Sequence, residues 1–251
     1  MTLVGLHGFL GSPAAWNRVL GPDAELGAYY GLTVPFHGLP PVHAECTGWE
    51  DALDRLASEL PSGPLLLLGY SLGARLALGL VERLRERVRA AVLVSGHAGL
   101  ALAAERAARL QFDETMATRL ETCASMSAFV DEWERLPLFS TQDALPAPLL
   151  VAQRRTREAH DPRVVAGAFR ILGTGSMPDY ETKLSDLETP LLFVSGALDD
   201  KYSSLAARYA AAAPSGRHAV LADCGHNPLL EAPERLRELV RQTLVTNRSA
   251  A

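Results

Sequence analysis

The sequence predicts an α/β protein with a mostly parallel sheet flanked by helices and a helical cap insertion, and three observations predict it. Six short apolar runs alternate with longer amphipathic stretches, as strands joined by crossover helices do. One long interval, from about residue 97 to 186, breaks the alternation and reads as helices only. A Gly-x-Ser-x-Gly segment lies where an apolar run passes directly into a helical one.

The apolar runs at 2–6, 29–34, 64–69, 90–95, 190–196 and 217–222 are each bounded by Gly, Pro or polar residues and are read as six strands. Helical periodicity marks 49–60, 72–84, 204–213 and 233–244. Within 97–186, Pro137, Pro146, Pro148 and Pro162 separate helical stretches with almost no strand signal. The interval follows the fourth strand and the strand pattern resumes after it. It is therefore expected to cover the C-terminal edge of the sheet, where open α/β sheets bind ligands. With no internal repeat or linker, residues 1–251 are expected to form one domain carrying this cap.

Composition narrows the function classes. The chain is 48% apolar and 21% charged, with no apolar run long enough to span a membrane. Its net charge is −5 and its arginines are scattered among acidic residues, which argues against a nucleic-acid partner and for a small-molecule one. Cys46, Cys123 and Cys224 lie far apart, without the spacing of a disulfide framework or a thiolate metal site. The first residues pass straight into a strand-like run with no signal-like segment, so a cytoplasmic location is expected.

Gly69-Tyr70-Ser71-Leu72-Gly73 has the strand, tight turn and helix context of a nucleophile elbow. The serine must hold a strained backbone there, and strand and helix approach so closely that only small residues fit at Gly69, Gly73 and Ala74. A serine hydroxyl is a weak nucleophile or base until a histidine accepts its proton and a carboxylate orients that histidine. Asp199 follows the fifth strand and His226 the sixth, in the chain order expected of the α/β-hydrolase fold. Asp200 is the alternative acid, whereas Asp223 reads as a local turn former. The N–H groups of Leu72 and of Phe9, in the glycine-bearing loop after the first strand, are the candidate oxyanion donors. His7 and His37 are expected to support loops through backbone hydrogen bonds; His43, His97, His160 and His218 lack metal-ligand spacing, and no metal site is expected.

These residues, with several others, resemble the 2-succinyl-6-hydroxy-2,4-cyclohexadiene-1-carboxylate synthase family of menaquinone biosynthesis. The likeness spans nearly the whole chain. It rests on Leu6-His7-Gly8-Phe9-Leu10-Gly11-Ser12, on Gly69 to Arg75, on Gly96-His97-Ala98-Gly99-Leu100 followed by Glu105-Arg106-Ala107-Ala108-Arg109, and on Trp133 to Phe139. Gly173-Thr174-Gly175, Asp199-Asp200-Lys201-Tyr202 and Gly225-His226-Asn227 complete it. The cap segments and Arg75 are the discriminating parts. The sequence departs from the family at Ala74, where a second glycine is common, at Met177, where glutamine is usual, and at Ala197-Leu198, which replaces a more polar pair.

The resemblance implies an elimination in which the triad acts as base and pyruvate leaves, with no metal or organic cofactor. A polycarboxylate substrate requires arginines, which bind carboxylates in a bidentate manner and stay charged when partly desolvated. By similarity that role falls to Arg75, Arg109 and Arg157, with Arg154 and Arg155 as neighbours the spacing does not exclude, while Tyr70 and Trp133 line the pocket. The same triad suits a carboxylesterase or lactonase that forms an acyl-enzyme on Ser71, and a ligand-binding module is the non-enzymatic alternative. Arginines in the pocket distinguish the first reading from the second.

Overall fold

A computed structural model describes residues 1–21 and 26–248. All six apolar runs form strands: β1 (Thr2–Leu6), β2 (Tyr29–Leu32), β3 (Leu65–Tyr70), β4 (Val88–Val94), β5 (Leu191–Gly196) and β6 (Gly216–Leu221). Every pairing is parallel, in the order β2-β1-β3-β4-β5-β6. The central strands are covered on both faces, which is why Leu65 to Leu68 is an unbroken apolar run rather than an alternating one. β4 starts two residues earlier than its apolar run, and a register shift opposite Leu65/Leu66 leaves exposed Arg89 without a register partner on β3.

The two faces of the sheet take alternate side chains. Leu66 and Leu68 point with Val92, Val94 and Val194 toward α1 (Asn17–Leu20) and α10 (Pro233–Arg248), which contributes Leu236, Val240 and Leu244. Leu65 and Leu67 point with Ala91, Leu93 and Phe193 toward α2 (Trp49–Glu59), α3 (Leu72–Arg83) and α8 (Asp200–Ala212). α8 begins four residues before its apolar periodicity does. Asp199 caps it, and the polar first turn that follows carries no periodic signal.

Between β4 and β5 the chain forms α4 (Ala103–Thr122), α5 (Met126–Glu134), α6 (Ala147–Glu158) and α7 (Pro162–Leu172), with short 3-10 segments at Pro137–Ala144 and Glu181–Asp186. Local signals start two of these helices. The Ser125 hydroxyl accepts from the Ala128 N–H, and the Asp161 carboxylate accepts from Arg163 and Val164 with Pro162 at the first helical position. Helix α4 packs on α7, and α5 on α6. Among the described residues no helix is long and apolar enough to cross a membrane.

Candidate active site

Ser71 stands between β3 and α3 with φ 52° and ψ −108°, a left-handed conformation that a non-glycine residue holds only under constraint. Backbone bonds supply the constraint. Its N–H donates to the Val94 carbonyl at 2.9 Å, and its own carbonyl accepts from Ala74 and Arg75 at 3.1 and 3.2 Å. A side chain on Gly73 would start 2.2 Å from the Leu6 carbonyl oxygen, and one on Gly69 would start 2.5 Å from Ala74 Cα. Ala74 itself fits because Gly96 lies opposite, where an added Cβ would stand 2.7 Å from the alanine methyl.

The other two members arrive on neighbouring loops. His226 Nδ1 lies 2.7 Å from Asp199 Oδ2, and His226 Nε2 lies 3.3 Å from Ser71 Oγ. Both the imidazole and the carboxylate are buried. This geometry lets Nδ1–H donate to the carboxylate while the Nε2 lone pair faces the hydroxyl. Asp199 is held in turn by its second oxygen, which accepts the Tyr202 N–H at 3.3 Å. The two loops are tied by bonds from the Ala197 and Leu198 N–H groups to the Leu221 and Cys224 carbonyls, at 2.8 and 2.9 Å. Gly196 allows that approach, since a Cβ there would lie 2.1 Å from the carbonyl oxygens of Cys224 and Gly225. Asp200 is exposed on the first turn of α8, and Asp223 sits in an exposed turn with φ 50°. Of the acids weighed from sequence, Asp199 alone meets the imidazole.

The loop after β1 rests on histidines. His7 donates from Nδ1 to the Gly8 carbonyl at 2.8 Å and accepts the Val34 N–H at Nε2, at 3.0 Å. His37 donates to the Pro35 carbonyl at 2.9 Å and accepts the Leu10 N–H at 3.1 Å, where Leu10 has φ 56°. His160 reaches in from beyond α6 to the Gly11 carbonyl at 3.1 Å. Burial pushes His7 down to about 4 and His37 well below its usual range, so both rings stay neutral and serve as fixed backbone partners. Phe9 and Leu72 both line the cavity beside Ser71, and Leu72 heads α3, where a first-turn N–H has no carbonyl within its own helix.

That cavity holds about 450 Å³ and is bordered by Ser71, His226 and all five residues expected to bind substrate: Tyr70, Arg75, Arg109, Trp133 and Arg157. Tyr70 is a neutral phenol whose hydroxyl burial pushes upward, with its ring 5.8 Å from the imidazole. Trp133 both borders the cavity and packs, 5.0 Å from Phe9 and 5.8 Å from Phe139.

The three arginines differ in partners. Arg75 donates to the Leu172 carbonyl and has no carboxylate in an ion pair among the described residues. Burial, with Arg109 nearby, pulls its guanidinium down to about 10, so it remains charged at neutral pH. Arg109 pairs with Asp113 at 2.8 Å, a carboxylate that lies so close to Gly173 that a Cβ there would meet it at 2.2 Å. Arg157 pairs with Glu134 at 2.8 Å and stacks 5.0 Å over Phe139. Arg154 instead joins Asp131, Glu134 and Glu158 outside the cavity, and Arg155 is exposed away from it. Met177 is fully buried; its N–H donates to the Gly173 carbonyl at 3.2 Å and its carbonyl accepts from Arg106 at 3.0 Å.

Sequence reading did not single out Lys201, Tyr202 and Phe139 as cavity residues. The Tyr202 ring lies 4.5 Å from the imidazole and the Phe139 ring 6.4 Å, and Lys201 borders the cavity at the start of α8. Reading Asp199 as a helix N-cap would have found the first two, because the first turn after a capped acid at a strand end faces the same rim.

The fold, the elbow and the three-residue contact define the class. A family model described as the alpha/beta hydrolase family matches residues 3–239, and the chain belongs to that family. An Escherichia coli protein named 2-succinyl-6-hydroxy-2,4-cyclohexadiene-1-carboxylate synthase is 30% identical over 234 residues, which cover 92% of this chain and 88% of that one. A Bacillus subtilis protein with the same name, marked putative, is 28% identical over 97% of this chain and 90% of its own. The structure of MenH from S. aureus superposes with a TM-score of 0.90 at 26% identity, covering 99% of this chain and 95% of that one. Within the α/β hydrolases the chain therefore belongs with the 2-succinyl-6-hydroxy-2,4-cyclohexadiene-1-carboxylate synthases.

Proposed function

We propose that this chain is a lyase of menaquinone biosynthesis. It eliminates pyruvate from a succinyl-enolpyruvyl-hydroxycyclohexene-carboxylate intermediate to give 2-succinyl-6-hydroxy-2,4-cyclohexadiene-1-carboxylate. We read residues 1–251 as one domain whose helices over 97–186 cap the sheet edge and close the site.

In this reading His226, oriented by Asp199, takes the Ser71 proton as Oγ removes a proton from the substrate ring. The electrons of the broken C–H bond form a ring double bond, and the C–O bond to the enolpyruvyl group breaks. The departing enolate takes up a proton to become pyruvate. Negative charge that develops on a carbonyl beside the broken C–H bond is met by the N–H groups of Phe9 and Leu72. Arg75, Arg109 and Arg157 bind the substrate carboxylates.

The observation that carries the reading is Arg75, charged, half-buried, bordering the cavity and in no carboxylate ion pair among the described residues. A site for neutral esters gains nothing from such a cation, whereas a polycarboxylate supplies the missing counter-charge. The test is pyruvate release from the purified intermediate, set against hydrolysis of p-nitrophenyl butyrate. Rapid pyruvate release with slow ester hydrolysis is expected. Fast ester cleavage without pyruvate would establish the esterase reading instead.

A further inference from the structure

Glu231 closes α9 (Pro228–Glu231), just after the histidine loop, and its carboxylate turns back onto that loop. One oxygen accepts the Gly225 N–H at 2.6 Å and the other accepts the Asn227 N–H at 3.0 Å. The carboxylate therefore grips the main chain one residue before and one residue after His226. We propose that Glu231 is a positioning residue for His226, setting the imidazole at its working distance from Ser71.

Three features support a role beyond ordinary loop capping. Hydrogen bonds to a charged acceptor are stronger than neutral ones, and here a single half-buried carboxylate makes two of them. α9 is itself anchored, since the N–H groups of Leu230 and Glu231 both donate to the Asn227 carbonyl, at 3.0 and 2.9 Å. The loop is also packed against a second element. A Cβ on Gly225 would lie 2.1 Å from Thr141 Oγ1 in the 3-10 segment Pro137–Ala144, so Thr141 packs directly on the loop beside His226. Any displacement of the loop that follows loss of its anchor changes the 3.3 Å separation of Nε2 from Ser71 Oγ. The bonds are to backbone N–H groups, so no residue type at 225 or 227 could have announced them.

The inference rests on the triad reading but not on the identity of the substrate, and a fluorophosphonate probe separates the two. Labelling forms a bond from Ser71 Oγ to phosphorus and breaks the P–F bond; fluoride departs and the hydroxyl proton passes to His226. A wild-type protein that is not labelled would overturn the triad itself. With labelling in hand, Glu231→Ala is expected to slow it about 100-fold, the size of effect a misplacement of about 1 Å produces. Glu231→Gln, which keeps one acceptor oxygen, should slow it about tenfold, one lost interaction of about 1.4 kcal/mol. In pyruvate release both variants should lose kcat with KM within about threefold of wild type, because Glu231 does not itself border the cavity and the arginines that do lie on other elements. Labelling of Glu231→Gln at the wild-type rate would overturn the proposal even if Tm fell, as would a rise in KM that accounts for the whole loss. Should Glu231→Ala fail to fold, the glutamine variant decides.

Discussion

The rim of the sheet and the helices between β4 and β5, which border the same cavity, treat polar groups in opposite ways. At the rim, His7 and His37 are fully buried, neutral and committed to backbone partners, and Ser71 is held by main-chain bonds on both sides. In the helices between β4 and β5 the charges are kept and paired, with Arg157 on Glu134, Arg109 on Asp113, and Arg170 on Glu114 and Glu121. Arg75 belongs to the rim by position, on the first turn of α3, yet carries charge as those helices do. The comparison separates two tasks. Reacting groups need fixed geometry, which dense backbone bonding in a dry setting supplies; substrate recognition needs charge, which Arg109 and Arg157 hold in ion pairs and Arg75 keeps without one among the described residues.

The strongest test removes a reacting group at the rim. Ser71→Ala or His226→Ala is expected to lower kcat for pyruvate release by about 10⁴-fold or more, with Tm within about 4 °C of wild type, because triad members act as a unit and bear little of the fold. A cavity arginine whose loss cost more than this would break the division between the two regions.

The next test sharpens it. Arg75→Ala should reduce kcat/KM for the polycarboxylate about 100-fold, as expected for losing a charge-assisted contact of about 3 kcal/mol, while hydrolysis of a neutral ester changes less than about threefold. Arg157→Ala should cost only about tenfold in kcat/KM, since Glu134 already takes part of its charge. Equal losses on the two substrates would remove the carboxylate-binding role of Arg75.

The last test reads stability rather than turnover and concerns the rim's neutral histidines. His7 sits at about 4 in the folded protein against 6.5 for a free imidazole, chiefly through burial and against the pull of its bond to Gly8. Between those values the unfolded chain binds a proton that the folded one refuses. Stability therefore rises with pH across this window and is lost as pH falls through it, by up to about 3 kcal/mol. Urea unfolding of wild type and His7→Gln across pH 6.5 to 4 measures this directly. The variant should lose less stability than wild type as pH falls, and parallel curves would show that His7 does not titrate as its burial requires.

Much of this architecture was legible in the chain. The six strands and four flanking helices follow from apolar periodicity, and Gly69, Gly73 and Ala74 mark the elbow because steric exclusion at a tight turn is a local property. The order of Ser71, Asp199 and His226, each just past a strand end, predicted a meeting that the geometry provides. Less accessible was the start of α8, where one carboxylate both caps a helix and orients an imidazole, and periodicity is silent about such double use.

By itself, then, the amino-acid order determined what depends on neighbours along the chain: the strands, the helices, the turn that strains a serine and the type of residue at each strand end. Only the tertiary structure decided that Arg157 rather than Arg154 or Arg155 borders the cavity, that Asp113 and Glu134 hold two of its arginines while Arg75 makes no such ion pair among the described residues, and that Glu231 grips the histidine loop. Those outcomes turn on distances between residues far apart in sequence or on bonds to backbone atoms, and neither leaves a periodic or compositional trace.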